Sequence, residues 1–260
     1  MSRDIKLALQ EHKQKVLDEL KIAESQLLGV FLYGSQNYGL STEDSDVDTI
    51  AIVLPNEYDL YFSRPLTKEL HLENGEHCVV KDIREIFNEF KKQNVNFLEI
   101  LVTDYKWVNP IYFEQWNSFT YLWTDYIVRY DVPRAIKSIC GQGKHTLRQA
   151  LNKDALDGKK VANAFKMLSY LIKYLDKLPF KKCITAEGTD KQYIMDLKTG
   201  KKEISKEEAE ALIKSFEEKE KIFEDFKLER DGRQIHIDEK LKETAFNFCK
   251  TSAILNPYNE

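Results

Sequence analysis

The chain has 260 residues, 42% of them hydrophobic and 32% charged, with 10 glycines and 6 prolines. That balance excludes a disordered, collagen-like or disulfide-stapled chain and supplies enough apolar surface for one large domain or two small ones. A formal charge of -4 excludes holding nucleic acid by bulk electrostatics alone, although 39 Lys and Arg leave room for a local basic groove.

Cys78, Cys140, Cys183 and Cys249 form no Cys-x-x-Cys pair, so neither a zinc site nor a disulfide framework is expected. The opening Met-Ser-Arg-Asp-Ile-Lys lacks the apolar run of a signal peptide. No stretch approaches the roughly 20 apolar residues that cross a bilayer. Reduced thiols, a cytoplasmic setting and no membrane partner are the expectation.

Residues from about 3 to 24 read as an amphipathic helix, with Ile5, Leu9, Val16, Leu20 and Ala23 at helical spacing. The apolar run from Leu27 to Tyr33 reads as a buried strand that stops at Gly34-Ser35. Turn and cap residues follow: Asn37, Gly39 and the stretch 41–45. Residues 46–53 form a second strand, closed by Pro55, and 56–74 is a mixed stretch holding a short helix or loop. A third strand is expected near 76–82. A helix then carries Ile83, Ile86, Phe87 and Phe90 on one face, and Phe97 to Leu101 begin a short helix or turn.

After Pro110 strand signals nearly vanish. Residues 157–175 are strongly helical, with Val161, Phe165, Leu168, Ile172 and Leu175 as the expected apolar stripe. Ser205 to Glu208 is a capping box, opening a long helix striped by Ala209, Leu212, Ile213, Phe216, Phe223 and Phe226. A last helix covers roughly 238–254. The expected fold is therefore α/β, more closely α+β: residues 1–110 form a small mixed sheet with helices on one side, and 111–260 form a helical domain.

Asp46 and Asp48 lie two apart in a segment that otherwise reads as a strand, so the period of two turns both side chains to one face. Two bare carboxylates there repel, and a cation relieves the repulsion. Hard ions such as Mg²⁺ prefer carboxylate and phosphate oxygens, which makes this pair a natural holder for a metal–nucleotide complex. Gly34 permits close backbone approach, and Ser35 with the following N–H groups can donate to phosphate oxygens. Ten residues separate Ser35 from Asp46, enough for the chain to fold back.

Gly34-Ser35, ten residues, then Asp46-Val47-Asp48 resembles the signature of the DNA polymerase β nucleotidyltransferase superfamily. The whole string from Tyr33 to Asp48 is similar to a branch of bacterial and phage nucleotidyltransferases that includes RNA-ligase-associated members. Lys81 to Arg84, Asn94 to Leu101 and Gly158 to Leu168 also resemble that branch, so the likeness spans most of the chain.

The resemblance implies a nucleotidyltransferase core whose helical domain closes a nucleotide cleft. It implies two Mg²⁺ ions, with Mn²⁺ as a substitute, held by Asp46, Asp48 and a third carboxylate on a neighbouring strand. Asp82 is the choice for that acid and the base, and Glu76, of the same strand parity, is the competitor. Gly34 and Ser35 would position the β- and γ-phosphates. Gln36 and Asn37 stand where some members carry a basic residue, so phosphate charge must be met elsewhere. The branch has a basic residue at Lys160, which makes Lys160 and Lys166 the candidates. The implied partners are a nucleoside triphosphate and an acceptor, an RNA end or a protein; oligomeric state is open.

Plainer readings stand beside these. An Asp-x-Asp pair can be a cap and a solvated strand end, Gly-Ser an ordinary turn, and Asp82 simply the cap of the helix that starts at Ile83. Lysines on a helix are most often its solvated side. His77 and His145 are isolated and read as ordinary surface or core residues, with substrate binding the sharper option for His145. Tyr33 and Tyr38 flank the motif, where either could stack on a base, and packing under its loop is the plainer reading.

Overall fold

The computed structural model describes residues 4–43, 45–62, 65–152, 155–223 and 232–257. Two compact units emerge, one of Met1–Asn37, Ser41–Tyr130 and Arg230–Glu260, the other of Tyr38–Leu40 and Asp131–Glu229. Arg3 and Phe226 lie outside the described residues.

In the first unit, helix α1 (Ile5–Leu20) starts where the Asp4 carboxylate accepts from the N–H groups of Lys6 and Leu7, and it stops at Lys21, whose backbone is left-handed. Strands β1 (Leu27–Tyr33) and β2 (Asp48–Val53) follow, and β1 is buried along nearly its whole length. The mixed stretch contains helix α2 (Glu57–Phe62) and a strand, β3 (Thr67–His71). Strand β4 (His77–Asp82) runs into α3 (Ile83–Lys91), then α4 (Val95–Leu98) and a turn of 3-10 helix, Glu99–Leu101. A three-residue strand β5 (Lys106–Val108) and helix α5 (Phe113–Ile127) come next.

The five strands form one mixed sheet in the order β3-β4-β2-β1-β5. Central β2 runs antiparallel to β1, with Tyr33 opposite Asp48, and parallel to β4, with Thr49 beside Cys78 and Val53 beside Asp82.

The register gives the sheet two faces of different character. Val30, Ala51, Val53, Cys78 and Val80 pack against Leu9 and Val16 of α1. Phe31, on the other face, meets Trp116 of α5 with ring centroids 4.9 Å apart, and Phe119 bridges Trp116 to Phe87 of α3. Helices thus cover both faces rather than one, because β1 and β2 bury both of theirs and need apolar partners on each. Gly29 lets the strand carry Phe31 this way, since a Cβ there would stand 2.8 Å from the Phe31 ring.

The second unit is helical: α6 (Val132–Leu151), α7 (Gly158–Leu175), α8 (Phe180–Ile184), α9 (Gly188–Lys198) and α10 (Lys206–Lys221). The capping box at Ser205 and Glu208 opens α10 as the sequence predicts. Helix α7 presents a rotated face: Val161, Ala164, Met167, Leu171 and Tyr174 are buried, while Ile172 is exposed. Beyond this bundle the chain returns to the first unit as α11 (Gly232–Leu255), whose Phe248 packs on Tyr112 and Trp116. Helices α5 and α11, both beyond residue 110, belong with the sheet. Among the described residues no helix is long and apolar enough to cross a membrane.

Candidate active site

At the end of β1 the backbone turns at Gly34, whose φ of 96° is a left-handed value that side chains other than glycine rarely adopt. The turn is anchored from below. Glu99, fully buried after α4, accepts the Gly34 N–H at 2.9 Å and the Asn37 side-chain amide at 3.4 Å. Asn37 also donates to the Leu32 carbonyl and accepts from the Thr103 hydroxyl. The Gly34 N–H is therefore spent inside the protein, and a phosphate would have to be met by groups further round the turn.

Ser35 Oγ donates to Gln36 Oε1 at 3.2 Å, and Gln36 Nε2 donates to the Asp46 carbonyl at 3.0 Å. Gln36 thus closes the gap between Ser35 and Asp46. Gly34, Ser35, Asp46 and Asp48 are brought to one end of β1 and β2, as the spacing predicts.

Asp46 is exposed just before β2, and Asp48 is the first residue of that strand. Burial, followed by the charge of Asp46, pushes the Asp48 carboxyl above the usual carboxylate range, against the opposing pull of His77. The ring of His77 lies beside Asp48, with Nδ1 2.8 Å from Oδ1, and the His77 backbone N–H is 3.4 Å from the same oxygen. On the far side of the ring, Tyr33 Oη is 2.8 Å from Nε2. Burial, reinforced by the charges of Asp48, Glu69 and Glu99, pushes the phenol's pKa up, so the phenol keeps its proton. The ring is oriented by partners on both sides, a phenol that can donate to Nε2 and a carboxylate that can accept from Nδ1–H. His77 is the site neighbour that sequence reading passed over as isolated. Only the strand register, which sets it beside Asp48, reveals it.

Asp82 stands elsewhere, and Glu76 lies behind the pair. Asp82 pairs with Val53, five residues along β2 from Asp48, which is roughly 16 Å at strand rise. Its partner Val53 faces the α1 side of the sheet, while Asp48 faces the other, and Asp82 stands at the strand end. There it caps α3 through the Arg84 N–H and forms a two-pronged pair with the Arg84 guanidinium at 2.8 and 2.6 Å. Glu76 is also on the α1 side, buried against His12. Asp82 is not brought together with Asp46 and Asp48, and Glu76 reaches them only from behind, as acceptor of the Val47 N–H at 3.3 Å.

Lys160 and Lys166 belong to the second unit, on α7. Lys160 Nζ donates to Gln149 Oε1 at 3.1 Å, and Lys166 Nζ lies 3.8 Å from the centre of the buried Tyr38 ring. His145 Nε2 is 2.7 Å from the Gln149 amide.

As a cation site the constellation offers two hard donors, Asp46 and Asp48, whose mutual repulsion an ion would relieve, while both ring nitrogens of His77 are engaged by Asp48 and Tyr33. Among the described residues no group of three or more His, Cys, Asp or Glu side chains is posed to hold a metal ion. The donor set fits a carboxylate pair sharing an ion with phosphate oxygens better than an all-protein cage. Neither the protein-family models nor the curated proteins compared with this sequence yield a match.

Proposed function

We propose that this chain is a nucleotidyltransferase that moves a nucleoside monophosphate from a nucleoside triphosphate to an acceptor hydroxyl, releasing pyrophosphate. The observation that carries the reading is the carboxylate pair at 46 and 48 beside the Gly34-Ser35 turn, with Asp48 lifted by burial and by its neighbour's charge. A carboxyl lifted chiefly by burial, with a second acid two residues away, is characteristic of sites that work on a cation or a proton.

Asp46 and Asp48 would hold Mg²⁺ or Mn²⁺ together with the triphosphate, and the ion supplies charge neutralisation for phosphoryl transfer when bound. The protein's own part is positional. Ser35 and the backbone after it meet phosphate oxygens, Gln36 fixes the span between turn and aspartates, and His77 with Tyr33 orients Asp48. Lys160 and Lys166 are proposed for the triphosphate on the resemblance alone. The acceptor favoured is an RNA end of tRNA-like size, which an acidic chain can hold through a few local basic residues, and a protein side chain is the alternative.

A second reading draws on the same geometry. Glu76 is held by His12 on the α1 side and Asp82 is tied to Arg84, which supports a nucleotide-binding module that senses triphosphate without transferring it. The test is incubation with each labelled nucleoside triphosphate and Mg²⁺ or Mn²⁺, with total RNA or with lysate protein. Label in RNA or in one protein band supports transfer, and its loss in Asp46→Asn and Asp48→Asn ties it to the pair. Tight triphosphate binding with no labelled product supports the sensing module. Full transfer by both variants overturns the assignment.

A further inference from the structure

Asp46 and Asp48 alternate with two residues that are gripped from behind. Val47 is fully buried against Ala8, Leu32 and Ile5. Its N–H donates to Glu76 Oε1 at 3.3 Å. Thr49 is fully buried as well, and its hydroxyl is 2.7 Å from His12 Nδ1. His12 Nε2 faces Glu76 Oε2 at 3.1 Å, and Asn74 Nδ2 donates to the same oxygen at 2.9 Å.

One carboxylate therefore collects hydrogen bonds from α1, from the hairpin before β4 and from the peptide between the two aspartates. His12 is wholly buried and Glu76 is 4% exposed. A carboxylate this deep is tolerated only when donors surround it. Nε2–H donates to the Glu76 carboxylate, and Nδ1 shares a hydrogen bond with the Thr49 hydroxyl. With 47 and 49 held toward α1, strand alternation turns Asp48 to the opposite face, and Asp46 is joined directly to the peptide whose N–H Glu76 holds.

We infer that His12 and Glu76 are a positioning pair for Asp46 and Asp48, acting through the Val47 N–H and the Thr49 hydroxyl. The inference deepens the proposed function and rests on it for the consequence at the ion, whereas the grip on Val47 is measurable without it.

The experiment compares the full chain with Glu76→Ala and Glu76→Gln. The glutamine keeps an oxygen that can accept from Val47. Two readouts are taken, hydrogen exchange of the Val47 amide by NMR and Mn²⁺ affinity by electron paramagnetic resonance. In Glu76→Ala the Val47 amide should exchange about tenfold faster or more, from loss of a bond to a charged acceptor, while amides at the centre of β1 and β2 keep their protection. Mn²⁺ binding should weaken by roughly 10- to 100-fold, as when an outer partner of a ligand is removed. Glu76→Gln should restore most of both.

Val47 exchange unaltered in Glu76→Ala overturns the inference whatever the ion does. Faster exchange with Mn²⁺ affinity unchanged overturns the positioning role and leaves a purely structural pair. Faster exchange in a chain that binds no Mn²⁺ at all sustains the grip and removes the proposed function instead. Should Glu76→Ala fail to fold, Glu76→Asp retracts the carboxylate by one methylene with its charge kept, and the same outcomes decide.

Discussion

Replacing Gly34 with alanine isolates the role of the turn, because the position separates backbone strain from crowding. A Cβ built there meets nothing within 4 Å, so packing costs are absent, yet φ is 96°. The penalty is then the conformational one alone, about 1–2 kcal/mol for an L-residue held in the left-handed region. For a chain of this size that corresponds to a fall of roughly 2–8 °C in Tm. The same strain is passed to Ser35 and to the Gln36–Asp46 hydrogen bond, so nucleotide transfer should fall further than stability does. Gly34→Asn, which tolerates positive φ better, should recover part of both losses. Thermal unfolding followed by circular dichroism, with transfer measured on the same samples, reads the result. An alanine variant with unchanged Tm would refute the strain argument. A loss well beyond 3 kcal/mol would show that space, not φ, is what the glycine supplies.

Asp48→Asn should raise stability near neutral pH. The carboxyl is lifted in the folded chain, so the fold binds the proton more tightly than the unfolded chain does, and wild-type stability falls as pH rises through that window. The gain should vanish below the unfolded carboxylate pKa, and denaturant titrations at pH 3 and pH 7 that give equal differences would contradict it. Gly143→Ala should cost about 1–3 kcal/mol, because its Cβ would stand 2.5 Å from the Phe216 ring where α6 meets α10, and a Tm equal to the parent's would show that the ring yields freely. The four cysteines are buried, and burial pushes Cys78 and Cys249 up to about 12 and Cys140 to about 11. A disulfide reagent at pH 8 should therefore label the native chain slowly, Cys249 first because it lines a cavity of about 610 Å³, and all four thiols at once in denaturant. Rapid native labelling of Cys78 would contradict that order.

The parts of this architecture that were legible in the sequence are those written by local pattern. The run from Leu27 to Tyr33, the glycine that ends it and the spacing to Asp46 and Asp48 give the core hairpin of β1 and β2 directly. Strand β4 was legible too, including the shared parity of residues 76, 78, 80 and 82. What the pattern leaves open is which face that parity occupies. The parallel register of Thr49 beside Cys78 turns it toward α1, and His77, one residue out of step, faces Asp48. Long-range register is not a local property, so no periodicity announces it. Strands β3 and β5 were hidden for a related reason: edge strands are short and carry polar residues such as Lys68, Glu69 and Lys106. On α7 two apolar stripes compete, and small residues such as Ala164, not the bulkier Phe165 and Leu168, take the buried side.

The alternation at residues 46 to 49 also sets where the chain can change length. Deleting one residue there would swing two charged side chains into the α1 core and push Val47 into water, an exchange no single compensating substitution reverses. Insertions between Gly39 and Thr42 leave that phase untouched. Length variants of this chain should accordingly cluster upstream of Ser45 and be absent from the four residues that follow it.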